Sequence, residues 1–359
     1  MTFWDDDRGV TVQVGAVLLL GILVISMSMY QVTVVPSQNE QVEFKHSQRV
    51  QQDMLRLRSS IQTGASTGIA PATTVELGTR YPSRTIFVNP PPASGTIRTT
   101  APASLSLDNV SVVGNSETAD DWKSTRNYST RSIVYQPTYN LYQNAPETVY
   151  QDSVLFNQFN GTRRLPLSGQ SLIRGRHITL VTVDGSLSRS EMGSVSVDPQ
   201  VVSASSRTVS ISNTSSGPLT LSIPTNATAD QWENDTLSDQ LVGSGGYVRK
   251  VVDGTKQGYV TIVLKNDTTY DLRMAKVGVG SGVADEKPRY LTLVRRPDPT
   301  VINDSSSLFT LEVRDKYNNP VNNVTVDATA TAGSFARTNV TSDGDGQAQF
   351  TYSAPSNRT

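Results

Sequence analysis

The chain has 359 residues, enough for two or three domains with cores of their own. It contains no cysteine, which excludes disulfide scaffolds, thiolate metal sites and cysteine nucleophiles. Lysine plus arginine number 31 and aspartate plus glutamate number 32, so the net charge does not indicate a nucleic-acid partner, and none is expected.

Residues 10–30, VTVQVGAVLLLGILVISMSMY, are mostly apolar, and no charged residue lies between Arg8 and Glu40. As a helix these 21 residues would be about 31 Å long, which matches the hydrocarbon core of a lipid bilayer. The preceding residues are acidic and no small-residue cleavage site follows, which argues against an ordinary signal peptide. We therefore predict a single-pass membrane helix over residues 10–35. Arg8 is the only basic residue near either end, which favours an N-terminus inside the cell and an extracellular body.

Arg8 and Gly9 stand directly before the apolar run. This arrangement resembles the leader of type IV pilin-like proteins, especially haloarchaeal ones. The resemblance implies a leader over residues 1–9, a cut between Gly9 and Val10, and assembly with other pilin-like subunits. Val14 stands at the fifth position after the cut, where bacterial pilins carry glutamate. The alternative is an uncleaved anchor that follows a chance Arg-Gly pair.

Pro36 is predicted to interrupt the helix after the apolar run, because proline lacks the amide N–H and clashes with the preceding turn. Helical spacing resumes over residues 36–68 and predicts an amphipathic stalk that packs on the β body or on a neighbouring subunit. His46 lies on its apolar stripe and is predicted to be a packed or half-exposed neutral side chain, not a ligand. The stripe consists of Val42, His46, Val50, Met54, Leu57 and Ile61, and the polar face of Glu43, Lys45, Arg49, Asp53, Arg56 and Arg58.

Residues 69–287 show short runs of alternating apolar and polar residues, which predict a β-rich ectodomain. A capping-box pattern beginning at Thr228 predicts one helix within it. Segments such as GTRYPSRTIFVNPPP and MAKVGVGSGV resemble uncharacterised haloarchaeal surface proteins, which implies an exported, anchored protein with no known activity. The predicted strands are 84–88, 104–113, 131–136, 177–183, 207–212, 219–223, 247–252 and 259–264.

Residues 288–359 contain FTLEVRDKYNNPVNNVTV at 309–326 and TSDGDGQAQFTY at 341–352. Period-2 strands separated by Asn, Pro, Asp and Gly turns predict a small all-β module. The segment resembles a bacterial Ig-like domain of the invasin/intimin type, which implies a β-sandwich. The sequence ends before the closing strands of such a domain, so either the last sheet is incomplete or a partner supplies the missing edge, and we expect a truncated module. The expected fold class is thus mainly β, with an N-terminal transmembrane or pilin-like helix, an amphipathic extension, a β-rich ectodomain and a C-terminal Ig-like sandwich.

Eleven asparagines lie in N-x-S/T sequons, all of them C-terminal to the apolar helix. This number predicts N-glycosylation and agrees with an extracellular body. Clustering of Asn, Ser and Thr in turns is the alternative. The sequon residues are Asn109, Asn127, Asn160, Asn213, Asn226, Asn234, Asn266, Asn303, Asn323, Asn339 and Asn357.

No motif predicts a catalytic site, a cofactor or a metal. The DGDG run at 343–346 lacks a bidentate glutamate and favours a hairpin turn over a calcium loop. VGVGSGV at 277–283 lacks the lysine and helix of a phosphate loop and is interpreted as a turn or linker. His177 opens a strand, and no G-x-S-x-G elbow is present.

Three functional hypotheses follow from these features. The first is a non-enzymatic, membrane-anchored surface protein for adhesion or envelope structure, with glycans, cell surfaces or other surface proteins as partners. The second is a pilin-like filament subunit processed after Gly9. The third, an anchored extracellular glycan hydrolase, would require a convergent acid pair that the sequence does not single out.

Overall fold

The structure, a computed structural model, describes residues 7–160, 163–295 and 305–356, with side chains from residue 12 onward. The predicted class is confirmed: the molecule is mainly β, with one long apolar helix at the N-terminus and a body rich in β-sheet. Residues 1–6 of the predicted leader lie outside the described residues.

The N-terminal helix runs without a break from Asp7 to Thr67. It comprises α1 (Asp7–Met29), a π-helical turn (Tyr30–Val34) and α2 (Val35–Thr67). Gly68 ends it in the left-handed conformation at φ 82°, as glycine commonly does after a helix. Shorter helices are α3 (Ser116–Asp121) and α4 (Ala229–Gln231), the latter followed by a π-helical turn (Trp232–Thr236) and two 3₁₀ turns (Ser238–Gln240, Val242–Ser244).

The prediction that Pro36 interrupts the helix is wrong. A proline inside an α-helix removes one hydrogen bond and pushes its ring against the carbonyl one turn earlier. Here the turn before Pro36 is π-helical, with the amide of Val35 bonded to the carbonyl of Tyr30. This wider turn lets the helix axis continue past the proline.

The body contains nineteen of the strands that the structure describes. The first ten are β1 (Thr73–Glu76), β2 (Ser94–Thr99), β3 (Ala103–Asp108), β4 (Val110–Val112), β5 (Thr125–Thr130), β6 (Ile133–Thr138), β7 (Glu147–Gln151), β8 (Val154–Gln158), β9 (Arg164–Pro166) and β10 (Ile173–Arg174). The next nine are β11 (His177–Asp184), β12 (Ser188–Glu191), β13 (Ser194–Val197), β14 (Pro199–Ser203), β15 (Val209–Asn213), β16 (Thr220–Pro224), β17 (Val248–Asp253), β18 (Tyr259–Leu264) and β19 (Tyr270–Val279).

These strands form three large sheets. The first has the order β12-β2-β6-β7-β8-β9, the second β10-β11-β19-β15-β4 with β14 also paired to β19, and the third β17-β18-β16-β3-β5. Strands β1 and β13 form a separate pair. The β11–β19 ladder is parallel, and every other ladder between described strands is antiparallel.

The second half of α2 lies inside the body. Val50, Met54, Leu57 and Ile61 have no exposed surface and share one apolar core with residues of the first and second sheets. The stripe predicted from helical spacing is therefore confirmed over these positions, and its partner is the chain's own β body. A second core lies between the three sheets and includes Trp232, next to the capping box that Thr228 and Gln231 form as predicted.

Two sequence interpretations need correction. Residues 84–88 are not a strand but an irregular loop, because their polar neighbours bind the helix instead of a strand partner. The first half of VGVGSGV is not a linker, since β19 continues to Val279 at the centre of the second sheet. Only the Gly280–Gly282 part is a turn, with φ of 80° and 68° at the two glycines.

The C-terminal segment forms a four-stranded sheet, β20-β21-β25-β23, and a two-stranded sheet, β22-β24, which share a small core. The DGDG run is a tight turn, but it joins β24 to β25, which lie in different sheets, so it is not a simple hairpin. Its Asp343 carboxylate accepts the amides of Asp345 and Gln347 at 3.0 and 2.8 Å. The strands are β20 (Tyr290–Arg295), β21 (Ser306–Arg314), β22 (Thr325–Asp327), β23 (Ser334–Phe335), β24 (Asn339–Thr341) and β25 (Gln347–Ser353).

This C-terminal unit is packed firmly on the body. Tyr317 is 3 % exposed, belongs to the core between the three sheets, and its hydroxyl lies 2.9 Å from the Thr182 hydroxyl. The Nδ2 of Asn319 donates to the Ser203 hydroxyl and to the Met274 carbonyl, both at 2.8 Å. The contact between the C-terminal unit and the body is therefore made by buried side chains that form specific hydrogen bonds.

Candidate functional site

The exposed half of the long helix is the largest apolar surface on the described chain. Its side chains between Val12 and Met29 are mostly more than half exposed, for example Leu19 at 68 % and Ile22 at 65 %. This is one helix long and apolar enough to cross a membrane, judged by length and composition. Contiguous apolar surface of this extent indicates a lipid or protein partner. Arg8, Gly9 and Val10 lie in the first turns of α1.

A loop formed by residues 80–92, which we call the collar, contacts the helix where this apolar surface ends. The Gln31 side chain bonds both backbone groups of Val88, donating to its carbonyl at 2.9 Å and accepting its amide at 3.0 Å. The rings of Tyr30 and Phe87 stack with centroids 4.6 Å apart. The body therefore begins at residue 30, and the predicted stalk over residues 36–68 is part of it.

The polar side of the collar binds the next turns of the helix. The Arg84 guanidinium donates to Gln38 Oε1 at 2.8 Å and to Asn89 Oδ1 at 3.1 Å. Asn39, which is fully buried, donates to the same Asn89 oxygen at 3.1 Å. The bonds of the collar to Gln38 and Asn39 join sequence positions about 50 residues apart and fix the loop along the helix.

Glu43 fastens a second loop, residues 139–142, to the helix. Its carboxylate is fully buried and accepts the backbone amides of Asn140, Leu141 and Tyr142 at 2.8, 2.9 and 2.5 Å, together with the Tyr81 hydroxyl. Burial raises the pKa of Tyr81 to about 12, so that its hydroxyl remains a donor at neutral pH. The assignment of Glu43 to a solvated polar face was wrong, and so was that of Asp53, whose Oδ2 accepts the Glu76 amide at 2.9 Å.

His46 is packed as predicted. It is fully buried, its Nδ1 lies 2.7 Å from the Tyr139 hydroxyl, and the two rings meet edge to face. Burial lowers the pKa of the imidazole, which favours the neutral form. Within the described residues no group of three or more His, Cys, Asp or Glu side chains is arranged to hold a metal.

His177 has surroundings that do not single it out for catalysis. Its side chain is 72 % exposed, and its Nδ1 lies 3.5 Å from a carboxylate oxygen of Asp271 on the neighbouring strand. A surface pair of this kind contributes little stability and lacks an adjacent nucleophile in a cleft.

The sequon asparagines are distributed over the surface of the body. Among the nine that the structure describes, seven are exposed and two, Asn109 and Asn213, are partly buried. Asn303 and Asn357 lie outside the described residues. The exposed ones are Asn127, Asn160, Asn226, Asn234, Asn266, Asn323 and Asn339.

We expect the exposed sequons to be modified in the native protein and Asn109 and Asn213 to remain bare. The Nδ2 of Asn109 donates to the Pro218 carbonyl at 3.1 Å, and Asn213 Oδ1 accepts the Asp267 amide at 2.9 Å, so both amides are engaged in the fold. Glycopeptide mass spectrometry of the native protein tests this, with Asn226→Gln as a matched control that should remove one glycan mass. Glycans on Asn109 but not on Asn226 would contradict it.

A cavity of about 260 Å³ lies between the first and third sheets and carries charged groups. Its lining includes Arg98, Arg131, Glu147 and Asp152. Asp152 stands in the turn between β7 and β8 with φ 45°, and within the described residues its Oδ2 has no hydrogen-bond partner. Burial raises the pKa of this carboxyl to about 8.

A glycosidase would need two carboxyl groups about 5–9.5 Å apart. Glu147 begins β7 and Asp152 follows its end. At about 3.3 Å per residue, five residues of extended chain separate their backbones by roughly 16 Å. This backbone separation is larger than the carboxyl spacing of a hydrolytic pair.

We expect Asp152→Asn to change how stability depends on pH. The folded state holds the Asp152 proton up to about pH 8, whereas the unfolded chain loses it near pH 4. Wild-type stability should therefore fall as pH rises between these values, by up to about 1.4 kcal/mol per pH unit, and the variant should lack this contribution. Urea unfolding of both proteins between pH 6.5 and 8.5 measures the difference. Asp198→Asn, at an exposed position, should leave the slope unchanged, and equal slopes for Asp152→Asn and wild type would refute the assignment.

Comparison with known proteins yields one informative similarity. An uncharacterised protein of Archaeoglobus fulgidus is 24 % identical over 321 residues, which cover 88 % of this chain and 52 % of the relative. The chain thus spans about half the length of this relative. No family model and no solved structure matches the sequence.

Proposed function

We propose that this chain is a single-pass, membrane-anchored cell-surface protein, with its N-terminus inside, whose β body works in adhesion or envelope structure without catalysis. The observation that supports it is the division of one continuous helix. From Val12 to Met29 its side chains are uncharged, mostly apolar and mostly exposed, whereas one face of α2 is buried in the core of the body. A helix of this kind couples a bilayer to a folded domain. The seven exposed sequon asparagines of the body and the C-terminal unit agree with an extracellular location.

Labelling in intact cells tests the location and orientation. The chain has no cysteine, so Leu165→Cys, on the exposed strand β9, and Leu19→Cys, in the apolar helix, each introduce a single thiol. We expect a membrane-impermeant maleimide to label residue 165 in intact cells and residue 19 only after solubilisation. Labelling of residue 165 only after lysis would place the body inside and refute the proposal.

The adhesive role is tested by binding. Purified full-length protein in detergent or nanodiscs should bind at least one of three probes: cells of the source organism, a panel of surface glycans, or immobilised copies of itself. The matched sample is the same protein after enzymatic removal of the body by limited proteolysis. Binding to none of the three would leave the anchor in place and eliminate adhesion.

A filament subunit is the second candidate, because the exposed half of the helix would be covered equally well by helices of neighbouring subunits. The Arg8-Gly9 pair before Val10 supports it through its resemblance to pilin-like leaders. Intact-mass analysis of the native protein distinguishes the two candidates. A mass that starts at Val10, together with filaments in electron micrographs, favours the subunit, and a mass that starts at Met1 or Thr2 rejects it.

A further inference from the structure

The tip of the collar exposes apolar side chains at the end of the apolar helix. Ile86 and Val88 are 68 % and 73 % exposed, while Phe87 between them stacks on Tyr30 of the helix. Val32, on the turn beside them, is also 73 % exposed. Residues 86–88 are three consecutive apolar residues at the tip of an irregular loop, and they do not belong to the apolar cores of the body.

The position of this tip along the helix follows from its hydrogen bonds. Both backbone groups of Val88 bind Gln31, two residues beyond the end of α1 at Met29. From Val12 to Met29 the helix is about 27 Å long, close to the hydrocarbon thickness of a bilayer. If α1 spans the membrane, the tip therefore lies at the boundary between hydrocarbon and head groups.

Several backbone groups of the collar are hydrogen-bonded within the fold or, at proline, have no amide donor. The Val88 amide and carbonyl are satisfied by Gln31, and the Asn89 side chain donates to the Pro82 carbonyl at 2.7 Å. Four positions of the collar are proline, which has no amide donor to leave unpaired: Pro82, Pro90, Pro91 and Pro92. Unsatisfied backbone groups are what excludes most loops from the apolar part of a bilayer.

Charged groups of the collar are directed away from the tip. Arg84 is bound to Gln38, two turns further into the body than Gln31. The helix carries no charge between Arg8 and Glu40. The apolar surface of the tip is thus continuous with that of α1, and the polar surface of the collar is continuous with the body.

We propose that Ile86, Phe87 and Val88 form a second membrane contact, which enters the interfacial layer of the lipid bilayer beside the helix. The inference rests on the proposed anchoring by α1. Apolar groups of interfacial segments enter about 5–10 Å below the head groups, and aromatic rings such as Tyr30 and Phe87 favour this level. The contact fixes the height and the facing of the body on the membrane.

Single-cysteine labelling of the full chain tests the contact, because the natural chain has no thiol background. Ile86→Cys and Val88→Cys are each labelled with an environment-sensitive fluorophore and reconstituted into vesicles of phosphatidylcholine and phosphatidylglycerol. Quenching is then measured in separate samples with a lipid whose nitroxide lies near the head of its acyl chain, which reports on the interface, and with one whose nitroxide lies near the end of the chain, which reports on the hydrocarbon centre where residue 19 lies. Leu19→Cys, within the helix, is the positive control, and Leu165→Cys, at 50 % exposure on β9, is the matched exposed control.

We expect quenching at residues 86 and 88 to exceed that at residue 165 by at least about twofold, as an interfacial position requires. If residue 19 is quenched but residues 86 and 88 are quenched no more than residue 165, the proposed contact is wrong and the anchoring by α1 is unaffected. Absence of quenching at residue 19 would instead refute the anchor itself. A tip fluorophore that is shielded from water but insensitive to the lipid quencher would show that a second copy covers the tip, which also overturns the proposal.

Discussion

Glu43→Ala is expected to lower the free energy of unfolding by about 3–5 kcal/mol, because it leaves buried donors without an acceptor. The carboxylate binds three consecutive backbone amides of the 140–142 loop as well as the Tyr81 hydroxyl. The alanine side chain replaces none of these bonds. Chemical denaturation of the full-length protein in detergent, followed by tryptophan fluorescence, measures the change.

Glu40→Ala is the matched control, since Glu40 lies one turn earlier on the same helix and is exposed. Its effect should stay within about 0.5 kcal/mol, as for most surface substitutions. The loss of stability caused by Glu43→Gln should fall between those of the two alanine variants. The glutamine side chain keeps one acceptor oxygen, but its NH₂ group is a donor that would face backbone amides, which are donors as well. If Glu43→Ala behaves like Glu40→Ala, the carboxylate does not hold the loop.

Tyr317→Ala is expected to cost about 3–5 kcal/mol, as large-to-small changes of buried aromatic residues do. The ring lies 5.1 Å from that of Tyr128, and the hydroxyl bonds Thr182 in the second sheet. Since the substitution removes the apolar link between the C-terminal unit and the body, we expect the single unfolding transition of the wild type to separate into two. Differential scanning calorimetry of the full chain detects this.

Tyr317→Phe keeps the ring and removes only the hydroxyl, so it should cost about 1 kcal/mol and retain a single transition. A second link at the same interface, the bidentate pair of Arg207 with buried Glu312, remains intact in both variants. Identical calorimetric traces for Tyr317→Ala and the wild type would show that the C-terminal unit is not coupled to the body through this side chain.

Local periodicity predicted those parts of the fold that local chemistry controls. The apolar stripe of α2, the capping box at Thr228 and seven of the eight predicted strand runs are found where the sequence pattern placed them, although eleven of the nineteen body strands were not predicted. In each case burial of one face follows directly from the period of the element. The packed, neutral state of His46 was predicted in the same way.

Long-range polar partners explain what the sequence did not reveal. The helical period places Glu43 and Asp53 on the same side of α2 as the apolar stripe, so spacing could have predicted their burial, but not the distant backbone amides that their carboxylates accept. Residues 84–88 have strand-like composition, but the collar binds the helix through Arg84 and Gln31 and leaves no strand partner. The alternating apolar residues that predicted a strand are instead exposed at the tip of the collar.

The continuous helix couples the orientation of its exposed apolar half to that of the body. The two halves of the helix are joined by a π-helical turn and a proline within the helix, not by a flexible linker that would allow the body to change its orientation. From Val12 to Thr67 this rod has 56 residues, or about 84 Å of helix. Any tilt or rotation of the first half of the helix is therefore transmitted to every sheet. A ligand would then approach the same face of the body in each encounter, because the other faces would not turn toward it.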